Sequence, residues 1–398
     1  GALPLSFAQQ RLWFLDQLEP GSAAYNMPLA VRLKGLLRVE ALEAAFQEVI
    51  RRHESLRTRF PAVAGEPVQV AFAPSGRRLP VVDLAGLPEV SREEEARQLA
   101  HREASRPFDL ERGPVLRTTL LRLGDREHLL LTTLHHIASD GWSMEVLIRE
   151  LGTLYVAARR GEPSPLPELP VQYGDFAVWQ RKWLSGDVLE AELAHWRSRL
   201  GEDEEVLELP TDQPRPAVRR HRGASRGFTL PERLAAGLQA LAHRERVTPF
   251  MVLLAGFQAL LFRSTGQPGI RVGTPVAGRT RLETEGLIGF FVNTLVLRAE
   301  LSREMSTGQL LGRVREAALD AWVHQELPFE KLVEELQPAR HLSRTPLFQV
   351  SFVFQASVFT ASLPELSELR IESLEESTGT AKFDLSLSME LRGEALRG

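Results

Sequence analysis

The sequence predicts a mixed α/β fold (α/β or α+β) built as two lobes of similar make-up. Its 398 residues exceed a single ordinary core, since domains run to about 100–200 residues. Both halves carry strand-period and helix-period stretches, and a proline-rich stretch separates them. Hydrophobic residues at 43% and charged residues at 25% are the proportions of a globular chain, which argues against a disordered or fibrous one.

Taken in order, residues 27–35 alternate apolar and polar side chains and read as a strand. Leu42, Ala45, Phe46, Val49 and Ile50 then fall at helical spacing. Residues 115–123 and 128–136 are two further strands rich in Leu and Thr, with Gly124-Asp125 as the hairpin turn between them. A long amphipathic helix is expected from about 143 to 160, closed by Gly161. The second half gives helices near 231–244, 248–264 and 306–325, and strands near 270–276, 347–354 and 382–390. Two linkers are candidates: 161–171, which carries four prolines, and 209–223, which contains the basic run Arg219-Arg220-His221-Arg222. The second is taken to join the lobes. This gives a first lobe at 1–180, a connecting segment at 181–225 and a second lobe at 226–398.

Charge and composition exclude several functions. The formal net charge is −4 and no basic stripe interleaves with aromatics, so nucleic acid is not the expected partner. The absence of cysteine removes disulfides, thiolate zinc sites and cysteine nucleophiles together. The opening Gly1-Ala2-Leu3-Pro4-Leu5-Ser6 has no secretory pattern. With no run of about 18 apolar residues, no membrane partner is expected, and a cytoplasmic location is the default.

The chemistry concentrates in His135-His136-Ile137-Ala138-Ser139-Asp140-Gly141, where an apolar strand stops just ahead of a helix. A strand end fixes a side chain, and helix N–H groups point into the same space. Against this stands the plain reading of satisfied histidines and a turn before a helix cap. A metal reading fails for want of a third ligand nearby, so no metal is expected. Gly223-Ala224-Ser225-Arg226-Gly227 matches a GxSxG nucleophile elbow, but a basic, proline-broken loop precedes the serine and a strand follows it. The elbow needs the reverse, a strand before and a helix after, so the match is rejected.

The histidine run is one of seven segments that occur in the order and spacing of a known family. The others are Leu5-Ser6-Phe7-Ala8-Gln9-Gln10-Arg11-Leu12-Trp13, Arg52-His53-Glu54-Ser55-Leu56-Arg57-Thr58-Arg59-Phe60 and Tyr173-Gly174-Asp175-Phe176-Ala177-Val178-Trp179-Gln180. Ile288-Gly289-Phe290-Phe291-Val292-Asn293-Thr294, His324-Gln325-Glu326-Leu327-Pro328-Phe329-Glu330-Lys331-Leu332-Val333 and Ser343-Arg344-Thr345-Pro346-Leu347-Phe348-Gln349-Val350 complete the set. The chain thus resembles the condensation domains of nonribosomal peptide synthetases, with HHxxxDG continuing into Trp142-Ser143.

The resemblance implies two chloramphenicol-acetyltransferase-like lobes in a V-shaped pseudo-dimer with the active site in a tunnel between them. It implies amide formation between a donor acyl or peptidyl thioester and an acceptor aminoacyl thioester. Both would arrive on phosphopantetheine arms carried by upstream and downstream peptidyl carrier proteins, next to an adenylation domain. No cofactor of the chain's own is expected, and the excised domain is expected to be monomeric. Arg11-Leu12-Trp13-Phe14-Leu15 and Ser139 to Ser143 resemble the subtype joining an L-donor to an L-acceptor. Lipid-initiating or ester-forming relatives and a non-catalytic carrier-docking module are the alternatives.

The implied roles are these. His136, with Asp140 and Gly141, makes the catalytic centre, His136 accepting the amine proton. His135 faces the other way by strand alternation and is structural. Asp140 pairs with an arginine of the second motif, Arg57 first and Arg52 in reserve, to hold the loop. Gly141 is either a turn residue at positive φ or a small residue whose N–H faces substrate. Trp142 and Ser143 support the site, and Trp13, Tyr173 and Trp179 pack. Asn293 either satisfies a bend or lines the acceptor channel, the channel being preferred, and Thr345 stands in that channel where relatives often carry Asn. The chain stops soon after Lys382-Phe383-Asp384-Leu385, where relatives continue, so a truncated C-terminal end and an unfinished last sheet edge are expected.

Overall fold

The structure is a computed structural model. It describes residues 1–74, 76, 78–201, 206–216, 222–337, 344–356, 369–374, 381–392 and 395–398. Of the segments singled out in the sequence, Arg219 to His221 and Ser343 lie outside these residues.

The chain forms two compact units, and their composition differs from a cut at 180 and 225. One unit holds Gly1–Trp183, Arg279–Phe291 and the strand Leu369–Leu374; the other begins at Leu184. Two segments that the sequence places in the second lobe therefore belong to the first unit. The reason is sheet pairing and buried polar contact, which leave no mark on local periodicity.

In the first unit a five-stranded sheet has the order Leu369–Leu374, Asn26–Gly35, Glu127–His135, Leu116–Gly124, Val81–Asp83. The strand Glu127–His135 is buried at every position after its first residue. The strand is paired on both edges and covered on both faces, and leucine and threonine fill its centre. Alternation sends Leu129 and Leu131 to one face, against Ala96 and Ala100 of the helix Glu89–Ser105. Leu130 and Leu134 go to the other, against Phe46 and Val49 of Val39–Arg52 and Val146 and Leu147 of Gly141–Arg160. The last of these helices is stopped by Gly161, whose φ of 69° suits a residue without Cβ.

The second unit has a six-stranded sheet ordered Asn293–Glu300, Gly269–Val276, Val350–Ala356, Leu385–Arg392, Ala395–Arg397, Thr229–Leu230. The last two strands cover the edge that was expected to be left open. Helices Glu232–Glu245, Pro249–Thr265 and Thr307–Val323 stand close to the sequence expectation. Pro249 occupies the first helical turn, where its missing N–H costs nothing, and Thr248 caps it. Ser225 lies outside any helix or strand, and only the two-residue strand Thr229–Leu230 follows it, so no nucleophile elbow exists there. Among the described residues no single helix is long and apolar enough to cross a membrane.

Candidate active site

The strand Glu127–His135 delivers the histidine run. His135 is its last residue, and its backbone N–H donates to Val115 O at 2.9 Å. The ring is 3% exposed, takes the Ile137 N–H on Nδ1 at 3.1 Å, and meets Phe108 edge-on. Accepting at Nδ1 places the proton on Nε2. Burial, with the nearby His136 and Arg117, pushes the imidazole down to about 3. His135 is therefore neutral and packed in the core.

His136 opens a single 3-10 turn, His136–Ala138, anchored by its own N–H to Tyr25 O at 2.9 Å. Its ring is partly exposed and lies edge-on to Phe290, with centroids 4.8 Å apart. The chain then extends through Ser139 to Asp140, the N-cap of the helix Gly141–Arg160.

Asp140 is 2% exposed and its oxygens are fully engaged. Oδ1 accepts from Ser143 N–H at 2.8 Å, from the Ser143 hydroxyl at 2.7 Å and from Arg279 Nη2 at 3.2 Å. Oδ2 accepts from Phe291 N–H at 2.9 Å. The guanidinium brace is thus real, but its donor is Arg279 rather than either arginine of the second motif. Arg57 ends a 3-10 turn, Glu54–Arg57, and donates to Phe72 O, Arg51 O and Glu54. Arg52 is buried and bound to Glu150 and Pro167 O. Arg279 also donates to Thr284 O, to Leu287 O at 2.8 Å and to the Ser143 hydroxyl at 2.8 Å. Its side chain is 1% exposed. Burial pulls this guanidinium below its ordinary value, with Asp140 opposing the shift.

Gly141 does not have positive φ, so the turn reading falls. It is exposed, and a Cβ built there would meet open space. As the first residue of the helix it carries an N–H that no intrahelical carbonyl can take. Trp142 is 40% exposed, with its indole N–H on Glu285 O at 2.9 Å and the Arg279 guanidinium over its ring. Ser143 is fully buried; besides Asp140 and Arg279 its hydroxyl contacts Gly289 O at 2.8 Å and accepts Gly289 N–H at 3.0 Å.

The segment 287–291 is where the motifs converge. His53 accepts Ile288 N–H on Nδ1 at 3.2 Å and turns Nε2 to Glu150 at 2.9 Å; Ser55 donates to Ile288 O at 2.7 Å. Tyr173 donates to Phe290 O at 2.6 Å, with Ser6 2.8 Å behind it. Gly289 is obligatory here, because a Cβ would stand 2.0 Å from the Tyr173 ring. The contribution of the second motif is therefore His53 and Ser55 holding this backbone. Trp13 donates to Phe60 O at 3.0 Å, and Trp179 stacks on Trp183.

In the second unit, Asn293 donates to Gln325 O and Leu327 O at 2.7 Å each and accepts Thr294 N–H and Phe329 N–H. All four hydrogen-bonding positions of its amide are used, which overturns the preference for a channel role: Asn293 fixes a bend. Thr345 is partly buried, and its carbonyl accepts from Gln349 at 3.2 Å.

The sequence profile described as Condensation domain matches residues 1–397. The chain is 54% identical over 389 residues to one of the linear gramicidin synthase proteins of Brevibacillus parabrevis, covering 97% of this chain and 8% of that protein. It thus spans less than a tenth of that relative. Superposed on the crystal structure of the X-domain from teicoplanin biosynthesis it gives a TM-score of 0.89 at 29% identity, covering 100% of this chain and 88% of the other. A complex of that X-domain with OxyB matches at a TM-score of 0.87 and 29% identity, with the same coverage. The first condensation domain of the calcium-dependent antibiotic synthetase, at 23% identity and a TM-score of 0.77, covers 100% of this chain and 90% of the other and shares the chloramphenicol-acetyltransferase-like fold. With the profile spanning nearly every residue and the histidine run intact at the end of its strand, the chain belongs to the condensation-domain family.

Proposed function

We propose that this chain forms peptide bonds in nonribosomal peptide synthesis, with His136 as the residue that meets the reacting amine. The observation that carries the reading is a partly exposed imidazole on a turn whose following loop is pinned by Asp140 and Arg279. Attack of an amine on a thioester needs orientation and the handling of one proton. An α-amine has an ordinary pKa of about 7.7–8.0, so a neutral fraction exists near neutral pH. A hydrogen bond from the amine to His136 lets the imidazole take the amine proton as the tetrahedral intermediate forms; the intermediate then collapses by breaking the C–S bond, and the proton passes to the departing pantetheine thiolate, leaving amide and free thiol. Asp140 shapes the loop, and on this reading the Gly141 N–H, which no intrahelical carbonyl takes, donates toward substrate.

The reactants on this reading are a donor acyl or peptidyl thioester and an acceptor aminoacyl thioester, each brought on the phosphopantetheine arm of a carrier protein, with an adenylation domain loading the acceptor. The L-donor to L-acceptor subtype rests on the first-motif and Ser139 to Ser143 likeness. Thr345 is kept as a contact of the acceptor path.

A second reading, a docking module without catalysis, is favoured by the likeness to the X-domain that was crystallised with OxyB. The intact histidine run weighs against it. Single-turnover dipeptide formation with two loaded carrier proteins separates the two. Product from wild type above the enzyme-free background and a large loss in His136→Ala supports catalysis through His136; equal rates in both above that background remove His136 from the reaction, and no product above background in either supports docking.

A further inference from the structure

Outside the site described above, the second unit holds a side-chain cluster to which the proposed reaction gives no part. The helix Gly186–Leu200 presents Glu192, His195 and Arg199 at spacings of three and four, which is one helix face. The helix Thr307–Val323 carries Asp320 in its last turn and ends at the C-cap His324, four residues on. These groups meet across the two helices. His195 Nε2 stands 3.1 Å from Asp320 Oδ2. The two imidazoles stack with centroids 3.5 Å apart and planes 14° from parallel, and both oxygens of Glu192 lie 3.1 Å from His324 Nδ1.

One ligating atom from each of His195, Asp320 and His324 lies within 4.8 Å of the others. Rotation of one imidazole out of the stack, with a closing movement of the helix ends, brings such a set around one ion, whose bonds to imidazole nitrogen and carboxylate oxygen are about 2.0–2.2 Å. Two details set the cluster apart from an ordinary polar contact between helices. His195 Nε2 is sealed from solvent and, among the described residues, makes no hydrogen bond, although the Asp320 oxygen is at hydrogen-bonding distance. The approach is therefore not directed along an N–H, and suits two lone pairs facing a common point. The candidate ligands are also supported from behind. Glu192 faces His324 Nδ1, and Arg199 holds Asp320 with Nε 2.8 Å from Oδ2 and Nη2 3.0 Å from Oδ1. Carboxylate support of an imidazole orients the ring and strengthens it as a ligand.

We propose that His195, Asp320 and His324 form a site for a divalent transition-metal ion of the zinc class, with water in the fourth position, which clips the ends of the two helices together. Two imidazoles and one carboxylate form a donor set suited to zinc, with cobalt and nickel as spectroscopic stand-ins.

The test is titration of the full chain, stripped by chelator, with Co²⁺. The expected result is a visible absorption band that saturates at one ion per chain and disappears on adding Zn²⁺, with a Tm several degrees higher in Zn²⁺. His195→Gln and His324→Gln should each weaken binding at least about tenfold while leaving the metal-free circular dichroism unchanged. Absence of saturable binding overturns the proposal, as does binding that survives in the double variant, since the ion would then sit elsewhere. Should the variants not fold, ring resonances of wild-type His195 and His324 decide the matter: they must shift at one equivalent of Zn²⁺, and unmoved rings refute the site.

Discussion

Asp140 directs both carboxylate oxygens at backbone, hydroxyl and guanidinium donors, and this decides what substitutions around it should do. Removing one partner of a buried ion pair leaves the other charge uncompensated, at a cost of about 3–5 kcal/mol. Arg279→Ala should therefore lower Tm and soluble yield sharply, with peptide formation lost alongside. Arg57→Ala removes the hydrogen bonds to Phe72 O and Arg51 O together with a pair to Glu54 3.3 Å away within one turn, and should cost about 1–2 kcal/mol, clearly less than Arg279→Ala. Denaturation of the two variants side by side tests the assignment, and reversed ranks would restore Arg57 as the brace. His136 behaves differently, because its ring is only partly buried. His136→Ala should lower the single-turnover rate by about 10²–10⁴ with Tm nearly unchanged. The position of the histidine run was legible in the sequence because a strand end, a cap and a helix start coincide around it. Its brace was not, since Arg279 lies 139 positions from Asp140 in a segment without periodicity.

Among the elements, the segment 287–291 behaves as a peg driven among three motifs, and its backbone rather than its side chains makes most of the connections. Gly289→Ala would push a methyl into the Tyr173 ring at 2.0 Å. Overpacking of this kind costs about 1–3 kcal/mol, and here it also displaces Phe290 from His136. The variant should lose activity out of proportion to its modest loss of stability, read as a fall in rate at a temperature where it is fully folded. Asn293 belongs to an element boundary in the same sense: it ties the strand Asn293–Glu300 to the start of the helix Phe329–Leu336. Asn293→Ala should cost about 1–3 kcal/mol through the stranded backbone groups and leave donor and acceptor selectivity unchanged; altered selectivity at unaltered stability would bring back the channel role. Long elements with clean periods were readable in advance, including the strands Asn26–Gly35 and Glu127–His135 and the helix Gly141–Arg160. The helices Phe7–Leu18, Tyr173–Trp183 and Gly186–Leu200 were not assigned, and the first two lie under motif residues whose polar character reflects hydrogen bonding across the unit, not a solvent face. The strand Leu369–Leu374 escaped notice because its place in the sheet depends on pairing with Asn26–Gly35, which no local pattern encodes.

For the molecule as a whole, the outcome turns on how much buried polar structure must be kept neutral or paired. The chain leaves the first unit after Trp183, returns at Arg279–Phe291 and again for the strand Leu369–Leu374, so the integrity of the site depends on residues far apart in sequence holding together under solvent stress. Acid acts on them through their buried titratable groups. His135 is neutral in the folded chain down to about 3, whereas an unfolded imidazole takes up its proton at about 6.5. Between these values the unfolded chain binds the extra proton, so stability contributed by the neutral ring is complete above about pH 6.5 and declines as pH falls toward about 3. One proton corresponds to about 1.4 kcal/mol per pH unit. Burial also lowers His128, in the same strand, which steepens the decline. Glu150 adds a later loss. Burial alone would raise its carboxyl, but hydrogen bonds from His53 and Arg52 outweigh it and hold the carboxyl below its ordinary value, so its contribution is complete above about pH 4.5 and fades below that. The urea midpoint of the chain should therefore begin to drop near pH 6.5, well before carboxylates titrate. His135→Asn, which keeps an acceptor for the Ile137 N–H, should flatten the curve between about pH 6.5 and 4.5 while retaining the fall below it. A midpoint that is level down to pH 5 in wild type, or a slope that the variant leaves intact, would show that burial of this imidazole does not set the acid limit of the fold.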